Sequence, residues 1–192
     1  MNIQEAHDLA HLSMSERRFK HTLGVVERAR ELAVRHGVDL EKAQIAAYLH
    51  DLKKEIPLEH QLEMAKEWNL IKFHEDEEAP YILHGPLAAY WLEHEYGYAD
   101  QEVLAAIANH TLGAPGMGQL EMLIYSADLT EPNRVFPKVD KLRQSLYDNL
   151  EIGTLLCVEH TLGFLKRSKR IIHPLTQMTY EDLKRRQKFV NR

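Results

Sequence analysis

Helical periodicity is the feature of this sequence that most constrains its fold. Apolar residues recur every three or four positions along most of the chain, and almost no run alternates between apolar and polar residues as a half-buried strand would. The first strong apolar stripe starts after Ser15, a residue suited to an N-cap, and ends at Gly37, a residue suited to a left-handed stop. We therefore predict an all-α fold, built as a bundle of helices.

Capping residues and helix breakers divide the chain into successive helices. The predicted helices span about residues 15–37, 39–50, 57–68, 85–97, 100–113, 119–128, 137–148 and 151–168. The acidic stretch 74–80 is predicted to be a surface loop, and the Gly/Pro-rich stretch 114–118 a turn. The last twenty residues are expected to form a further short helix or to remain loose.

Length and composition indicate one ordinary globular domain. A chain of 192 residues with 44% hydrophobic and 28% charged residues can bury a single continuous core. We predict one domain over residues 1–192, with a core at about 15–170 and a basic C-terminal tail at 171–192. The lone cysteine, Cys157, fits a reducing compartment, and no stretch resembles a signal peptide or a spanning helix, so we expect a cytoplasmic protein without a membrane partner.

The net charge of −5 conceals an uneven distribution of charge. Residues 165–192 contain 9 of the 24 Lys and Arg residues but only 2 of the 29 Asp and Glu residues. A basic tail of this kind is compatible with contact to RNA or ribosomes, but solvated faces of terminal helices explain it equally well. We therefore do not expect nucleic acid to be a partner, and we leave open whether the protein is a monomer or a homodimer.

Imidazole and carboxylate side chains recur near helix ends or on inward helical faces. Alone, a histidine in such a place is more often a hydrogen-bonded core residue than a metal ligand. Several such groups on five separate helical segments are better explained by a metal site, and nitrogen and oxygen ligands without thiolates suit iron, manganese or zinc. The candidate ligands are His21, His50, Asp51, His84, His110 and Asp128.

The vicinal pair of His50 and Asp51 is important because a carboxylate has two oxygens, which can bridge two metal ions. Two divalent ions of this kind favour the hydrolysis of phosphate esters and anhydrides. Basic residues close to the candidate ligands fit that chemistry, since arginine and lysine contact phosphate. They are Arg18, Lys53, Lys54 and Arg134.

Five short motifs carry a resemblance to a known family. They read RFKHTLGV (18–25), YLHDLKKE (48–55), ILHGPLAA (82–89), AIANHTLGAPGM (106–117) and YSADLTEPNR (125–134). In this order they resemble the HD-domain superfamily of metal-dependent phosphohydrolases and, within it, the YqeK-type bacterial family of symmetrical diadenosine tetraphosphate hydrolases. The resemblance covers about residues 15–170 and implies an HD-domain helical bundle with a central dinuclear metal site.

The resemblance also implies roles for individual residues. One metal ion would be held by His21, His50, Asp51 and Asp128, and the other by Asp51, His84 and His110. Iron would be the family's native metal, with manganese or zinc as alternatives. Asp51, Lys54 and Arg134 would be catalytic, and the substrate would be contacted by Arg18, Lys54, Gly85, Thr111 and Arg134. The expected reaction is hydrolysis of diadenosine tetraphosphate, a small nucleotide, to two ADP.

Other functions remain open from the residues alone. The same metal core would serve an HD-type nucleotide phosphohydrolase or a cyclic-dinucleotide phosphodiesterase. A non-catalytic nucleotide-binding module is a third possibility, although all six candidate ligands are present. An RNA adaptor that acts through the basic tail would show salt-sensitive RNA binding.

Overall fold

A computed structural model describes residues 1–190 of the chain, and the side chains of residues 1–187. Within that part the protein consists of α-helices joined by short loops and contains no strand, which confirms the all-α prediction. The helices are α1 (Ile3–Ser13), α2 (Glu16–His36), α3 (Leu40–Leu49), α4 (Leu58–Glu67), α5 (His74–Glu78), α6 (His84–His94), α7 (Gln101–Asn109), α8 (Gln119–Thr130), α9 (Val139–Asp148), α10 (Leu150–Arg167) and α11 (Pro174–Val190), with a 3-10 turn at Pro80–Ile82.

Side-chain caps explain why the predicted boundaries of α2, α3 and α7 are close to the observed ones. The Ser15 hydroxyl accepts a hydrogen bond from a backbone N–H in the first turn of α2, and α2 ends at Gly37, whose φ of 67° is left-handed. Asp39 and Asp100 cap α3 and α7 in the same way. These short polar residues satisfy N–H groups that a helix start leaves without partners.

Three expectations need correction. Helix α1 was not predicted, and α11 is longer than the short helix expected for the last twenty residues. The stretch 74–80 is not a surface loop, because it forms α5 and enters the 3-10 turn, with Asp76 buried and accepting two backbone N–H groups at 2.8 Å. Residues 191 and 192 of the predicted basic tail lie outside the described residues.

Helix α3 lies at the centre of the bundle, packed against α1, α2, α7 and α8. Its apolar face carries Ala43, Ala46 and Ala47, all fully buried. Because these side chains are small, the neighbouring helices approach α3 closely. The C-terminal end of α3, where the vicinal His-Asp pair begins, is therefore enclosed by other helices.

Two further packing features position the functional region. Helix α6 crosses α7 closely at Gly85, where a Cβ atom would lie 2.8 Å from the carbonyl oxygen of Ile107. The main core also includes Ala6 from α1 and Leu183 from α11, so both terminal helices cover it.

Among the described residues, no helix is long and apolar enough to cross a membrane.

Candidate metal centre

The structure brings all six candidate ligands together at one place, where four helices end or begin. His50 follows the last residue of α3, and Asp51 is next in the chain. His84 is the first residue of α6, and His110 follows the last residue of α7. His21 projects from α2 and Asp128 from the last turn of α8.

The carboxylate of Asp51 lies between two groups of imidazoles. Its Oδ2 atom is 3.3 Å from His50 Nε2 and 3.7 Å from His21 Nε2. Its Oδ1 atom is 3.2 Å from His84 Nε2 and 3.7 Å from His110 Nε2. The two oxygens therefore face different sets of nitrogen atoms, as a carboxylate that bridges two cations requires.

Asp128 completes the first of these groups, with Oδ1 3.0 Å from His21 Nε2. Among the described residues, ligand atoms within 4.8 Å of one another form three overlapping triads, each with two imidazoles and one carboxylate. They are His21, His50 and Asp51; His50, His110 and Asp128; and Asp51, His84 and His110. The second triad joins residues that the family resemblance assigned to different ions, so the cluster is continuous.

Backbone carbonyls fix the tautomers of three histidines. The Nδ1 atom of His50 lies 2.8 Å from Ala47 O, that of His84 lies 2.9 Å from Tyr81 O, and that of His110 lies 2.7 Å from Ile107 O. A carbonyl oxygen only accepts, so each Nδ1 carries the proton, which in a neutral ring leaves a lone pair at Nε2. All three Nε2 atoms point into the cluster.

Unpaired polar atoms also indicate a cation site. His21 Nε2 and His50 Nε2 are buried and have no aligned hydrogen-bond partner among the described residues. Their neighbours are carboxylate oxygens and other imidazole nitrogens, which are acceptors themselves. These neighbours do not satisfy either imidazole nitrogen, and buried acceptors that converge in this way are costly unless a cation lies between them, so the donor set fits divalent transition metals.

The pKa shifts of the buried groups show how closely the carboxylates and imidazoles interact. Burial raises the pKa of Asp51, but His50 and the other adjacent imidazoles outweigh burial, so this pKa lies well below its usual value. Burial also raises the pKa of Asp128, but His21 and His50 outweigh burial, so this pKa lies below its usual value. Burial lowers the pKa of His84 to about 4, which keeps this ring neutral and available as a ligand near neutral pH.

Most of the predicted substrate-contacting side chains border the cluster. Arg18 donates to Asp51 Oδ2 at 2.8 Å, and Arg134 donates to Asp128 Oδ1 at 3.0 Å. Lys54 Nζ is 3.3 Å from His84 Nε2, and burial lowers the pKa of this ammonium group although Asp51 and other carboxylates oppose the shift.

Thr111 and Gly85 complete the predicted set. The Thr111 hydroxyl lies 3.2 Å from His84 Nε2 and 3.1 Å from His110 Nε2, and it also lines a cavity of about 100 Å³ beside the cluster. Gly85 is buried against α7, where its missing side chain allows His84 and His110 to meet.

Sequence reasoning missed two buried groups here. His173 is 3% exposed, and its Nε2 atom lies 3.1 Å from Asp76 Oδ1. Glu131 is equally buried, and its Oε1 atom lies 3.2 Å from His21 Nδ1. Glu131 lies inside the YSADLTEPNR motif, so the motif pointed to a role for this residue. No pattern predicted that His173 pairs with Asp76. His160 lies away from the candidate ligands, where it contacts the Phe136 ring and lines a separate cavity with Lys138 and Arg167.

The fold and this cluster define an all-α protein with a buried histidine and aspartate centre suited to metal ions. The family model described as HD domain matches residues 18–145. The chain therefore belongs to the HD domain family.

Within that family the chain is similar to bacterial proteins named bis(5'-nucleosyl)-tetraphosphatase, symmetrical. The protein from Bacillus subtilis (strain 168) is 38% identical over 180 residues, which cover 94% of this chain and 96% of the relative. The protein from Halalkalibacterium halodurans is 37% identical over 191 residues, which cover 98% of this chain and 100% of the relative. The crystal structure of a predicted HD superfamily hydrolase involved in NAD metabolism from Clostridium acetobutylicum matches with a TM-score of 0.90 and 34% identity, covering 95% of this chain and 97% of that one.

Proposed function

We propose that this chain hydrolyses diadenosine tetraphosphate symmetrically to two ADP. The observation that carries the proposal is the position of Asp51, whose two oxygens face separate groups of imidazoles in a centre bordered by Arg18, Lys54 and Arg134. The names of the Bacillus and Halalkalibacterium relatives support the substrate.

We propose two divalent metal ions in the centre. His21, His50, Asp51 and Asp128 would hold one, and Asp51, His84 and His110 the other. Iron is the first candidate, because the family resemblance implies it and the donors are nitrogen and oxygen; manganese and zinc suit the same donors. When bound, such ions offset the negative charge of phosphate and make water a better nucleophile at neutral pH.

The chain's own cationic groups would bind the tetraphosphate. Arg134 has a side chain that is 41% exposed, at the mouth of the centre, and its fork can contact two phosphate oxygens at once. Arg18 and Lys54 lie deeper, on the Asp51 and His84 sides of the cluster. These cationic side chains lie on several sides of the centre. They would place the middle of the polyphosphate chain beside the metal-binding residues and leave the two nucleosides outside the centre.

The remaining predicted contacts would shape the space around the phosphates. The Thr111 hydroxyl can donate to a phosphate oxygen, because it lies at the edge of the cluster and also lines the adjoining cavity. Gly85 would contribute through its backbone at the start of α6, as the family resemblance implies. A small nucleotide is thus the proposed ligand.

The reaction consumes one water. The oxygen of water forms a bond to one of the two central phosphorus atoms, the bond from that phosphorus to the central bridging oxygen breaks, and ADP leaves with that oxygen. The products are two ADP molecules and the protons they release.

The thiol of Cys157 is buried and forms no disulfide among the described residues, which fits the reducing cytoplasm that we propose as the place of action.

The test is product analysis with a panel of nucleotides. Purified protein reconstituted anaerobically with Fe²⁺, and separately with Mn²⁺, is incubated with diadenosine tetraphosphate, diadenosine triphosphate, cyclic diadenosine monophosphate and ATP. We expect ADP as the only product of the tetraphosphate. AMP with ATP in equal amounts would contradict symmetrical cleavage, and preferential turnover of the cyclic dinucleotide would favour a phosphodiesterase. Tight binding of the tetraphosphate without turnover would instead indicate a non-catalytic module.

A further inference from the structure

Glu131 is a buried carboxyl group whose two oxygens contact different parts of the chain. It follows directly on α8, three residues after Asp128. Its Oε1 atom is 3.2 Å from His21 Nδ1 and 3.8 Å from Arg134 Nε. Its Oε2 atom accepts the backbone N–H of Asn133 at 2.6 Å and the side-chain amide of Asn133 at 3.0 Å. Both oxygens are therefore engaged by N–H groups.

The structure also makes room for this carboxyl group and holds its backbone. A Cβ atom on Gly24, which lies in α2 with His21, would be 2.5 Å from Glu131 Oε2, so the glycine leaves the space that the carboxyl group fills. From α9, Arg143 donates to the carbonyl oxygens of Thr130 at 2.9 Å and Glu131 at 2.8 Å. The position of Glu131 is thus determined by helices on two sides.

His21 differs from the other three histidines of the cluster in how its ring is oriented. His50, His84 and His110 lie at helix ends and give Nδ1–H to a carbonyl three residues earlier. His21 lies inside α2, where the helix uses its own carbonyl groups, so its ring needs a partner from elsewhere in the chain. Glu131, 110 residues away, is that partner.

We propose that Glu131 is the positioning residue that makes His21 a metal ligand. By accepting Nδ1–H it fixes the tautomer with the lone pair at Nε2, and it orients Nε2 towards Asp51 and Asp128. Gly24 and Asn133 hold the carboxyl group in that position. This inference rests on the metal centre of the proposed function.

The decisive variant is Glu131→Gln, which keeps the size of the side chain. Asn133 presents two N–H groups to the Oε2 position, so the amide oxygen of glutamine stays there and the NH₂ group faces His21. That NH₂ donates to Nδ1 and moves the imidazole proton to Nε2. The matched control is Glu121→Gln, because Glu121 also accepts a backbone and an asparagine N–H but contacts no histidine of the cluster.

Two measurements test this variant. Long-range ¹⁵N–¹H correlation spectra of chelator-treated protein, with His21 assigned from a His21→Asn variant, report which ring nitrogen carries the proton. We expect the proton on Nδ1 in the wild type and on Nε2 in Glu131→Gln. Titration with Mn²⁺ should show 10- to 100-fold weaker binding of one ion in Glu131→Gln, the range known for residues that hydrogen-bond a metal ligand. Binding should be unchanged in Glu121→Gln.

Gly24→Ala provides a second variant, which displaces the carboxyl group without removing it. A Cβ atom at residue 24 would lie 2.5 Å from Glu131 Oε2 and 3.0 Å from the Asn133 amide nitrogen, so the end of the Glu131 side chain has to move. Mn²⁺ binding should weaken about tenfold, at the low end of the range known for residues that hydrogen-bond a metal ligand. Gly163→Ala is the control, because a Cβ there meets only the flexible guanidinium of Arg167.

The outcomes separate this inference from the proposed function. An unchanged His21 tautomer with unchanged Mn²⁺ affinity in Glu131→Gln would overturn the role of Glu131 and leave the metal centre intact. Wild-type protein that binds no Mn²⁺ and no Fe²⁺ would overturn both.

Discussion

His84 and His110 meet through their Nε2 atoms at 2.9 Å, deep inside the bundle. Each ring gives its Nδ1 proton to a backbone carbonyl, so two lone pairs face each other there. The nearby donors are the Thr111 hydroxyl, with one proton for both rings, and the Lys54 ammonium group, 3.3 Å from His84 Nε2. A cation between the rings removes this repulsion. The relationship therefore links the stability of the protein to metal binding.

The first prediction follows from that link. Adding Mn²⁺ or Fe²⁺ to chelator-treated protein at about 100 times the dissociation constant should stabilise the fold by about 2.7 kcal/mol per independent ion. For a chain of this length that corresponds to a rise in melting temperature of about 5–10 °C. Scanning calorimetry with and without the ion measures it, with Mg²⁺ as the control because it prefers oxygen donors. No rise with any transition metal would contradict a metal centre at these rings.

The second prediction concerns the bridging position of Asp51. Asp51→Asn should reduce the metal content from two ions to below one per chain, because it replaces one of the two oxygens that face the two sets of imidazoles with an NH₂ group. His84→Asn should lose one ion and retain the other. Asp39→Asn is the matched control, since Asp39 only caps α3 and asparagine caps as well. Elemental analysis after anaerobic reconstitution decides it, and two ions retained in Asp51→Asn would show that the carboxylate does not bridge.

The third prediction is an acid sensitivity that arises from His84. The unfolded chain binds a proton at this residue near pH 6.5, whereas burial lowers the folded pKa to about 4. Between these values the unfolded state binds more protons, so the free energy of unfolding contributed by His84 is complete above pH 6.5 and is lost as the pH falls towards 4. At pH 5 the loss should be about 2 kcal/mol.

Urea unfolding at pH 7 and pH 5, in the presence of a chelator, measures this dependence. His84→Asn should show a smaller difference between the two pH values than the wild type, because the variant lacks the ring that the unfolded chain protonates more readily than the folded one. An identical difference in the two proteins would mean that His84 is not the origin of the acid sensitivity.

Local signals in the sequence predicted much of the fold because helix ends are determined locally. The N-caps Ser15, Asp39 and Asp100 act on their own first turns, and the left-handed stop at Gly37 needs no distant partner. The cluster itself was foreseen from histidines and aspartates near helix ends. Hydrophobic periodicity does not indicate which residues, distant in the sequence, contact each other in the fold.

The two missed groups illustrate that limit. The pairing of Asp76 with His173 spans 97 residues, and it turns an acidic stretch that looks solvated into a buried helical turn. The pairing of His21 with Glu131 spans 110 residues and depends on the absence of a side chain at Gly24. Such contacts are consequences of tertiary packing, and neither hydrophobic periodicity nor capping rules encode them.

The last prediction tests the proposed phosphate contact of Arg134. This guanidinium donates to Asp128 Oδ1 at 3.0 Å and to the Asp128 carbonyl at 3.2 Å, so it lies against the centre without being one of its candidate ligands. Arg134→Ala should slow hydrolysis of diadenosine tetraphosphate by about one to two decades, the loss expected from one charge-assisted contact of about 1.5–3 kcal/mol. Metal content should stay at the wild-type value. ADP should remain the only product if Arg18 and Lys54 still hold the phosphate chain in the same position over the centre.

The matched control is Arg35→Ala, because Arg35 makes a similar pair of contacts, a carbonyl hydrogen bond and a ring contact at Tyr147, remote from the cluster. Steady-state kinetics and chromatography of products, with metal content measured on each protein, distinguish the outcomes. A fall in metal content that parallels the fall in rate would reassign Arg134 to holding Asp128 in place, since its hydrogen bond to Oδ1 would then be its main function. Unchanged kinetics would remove Arg134 from the site, and the phosphate register would then have to be set by Arg18 and Lys54, the two cations on the buried side of the cluster.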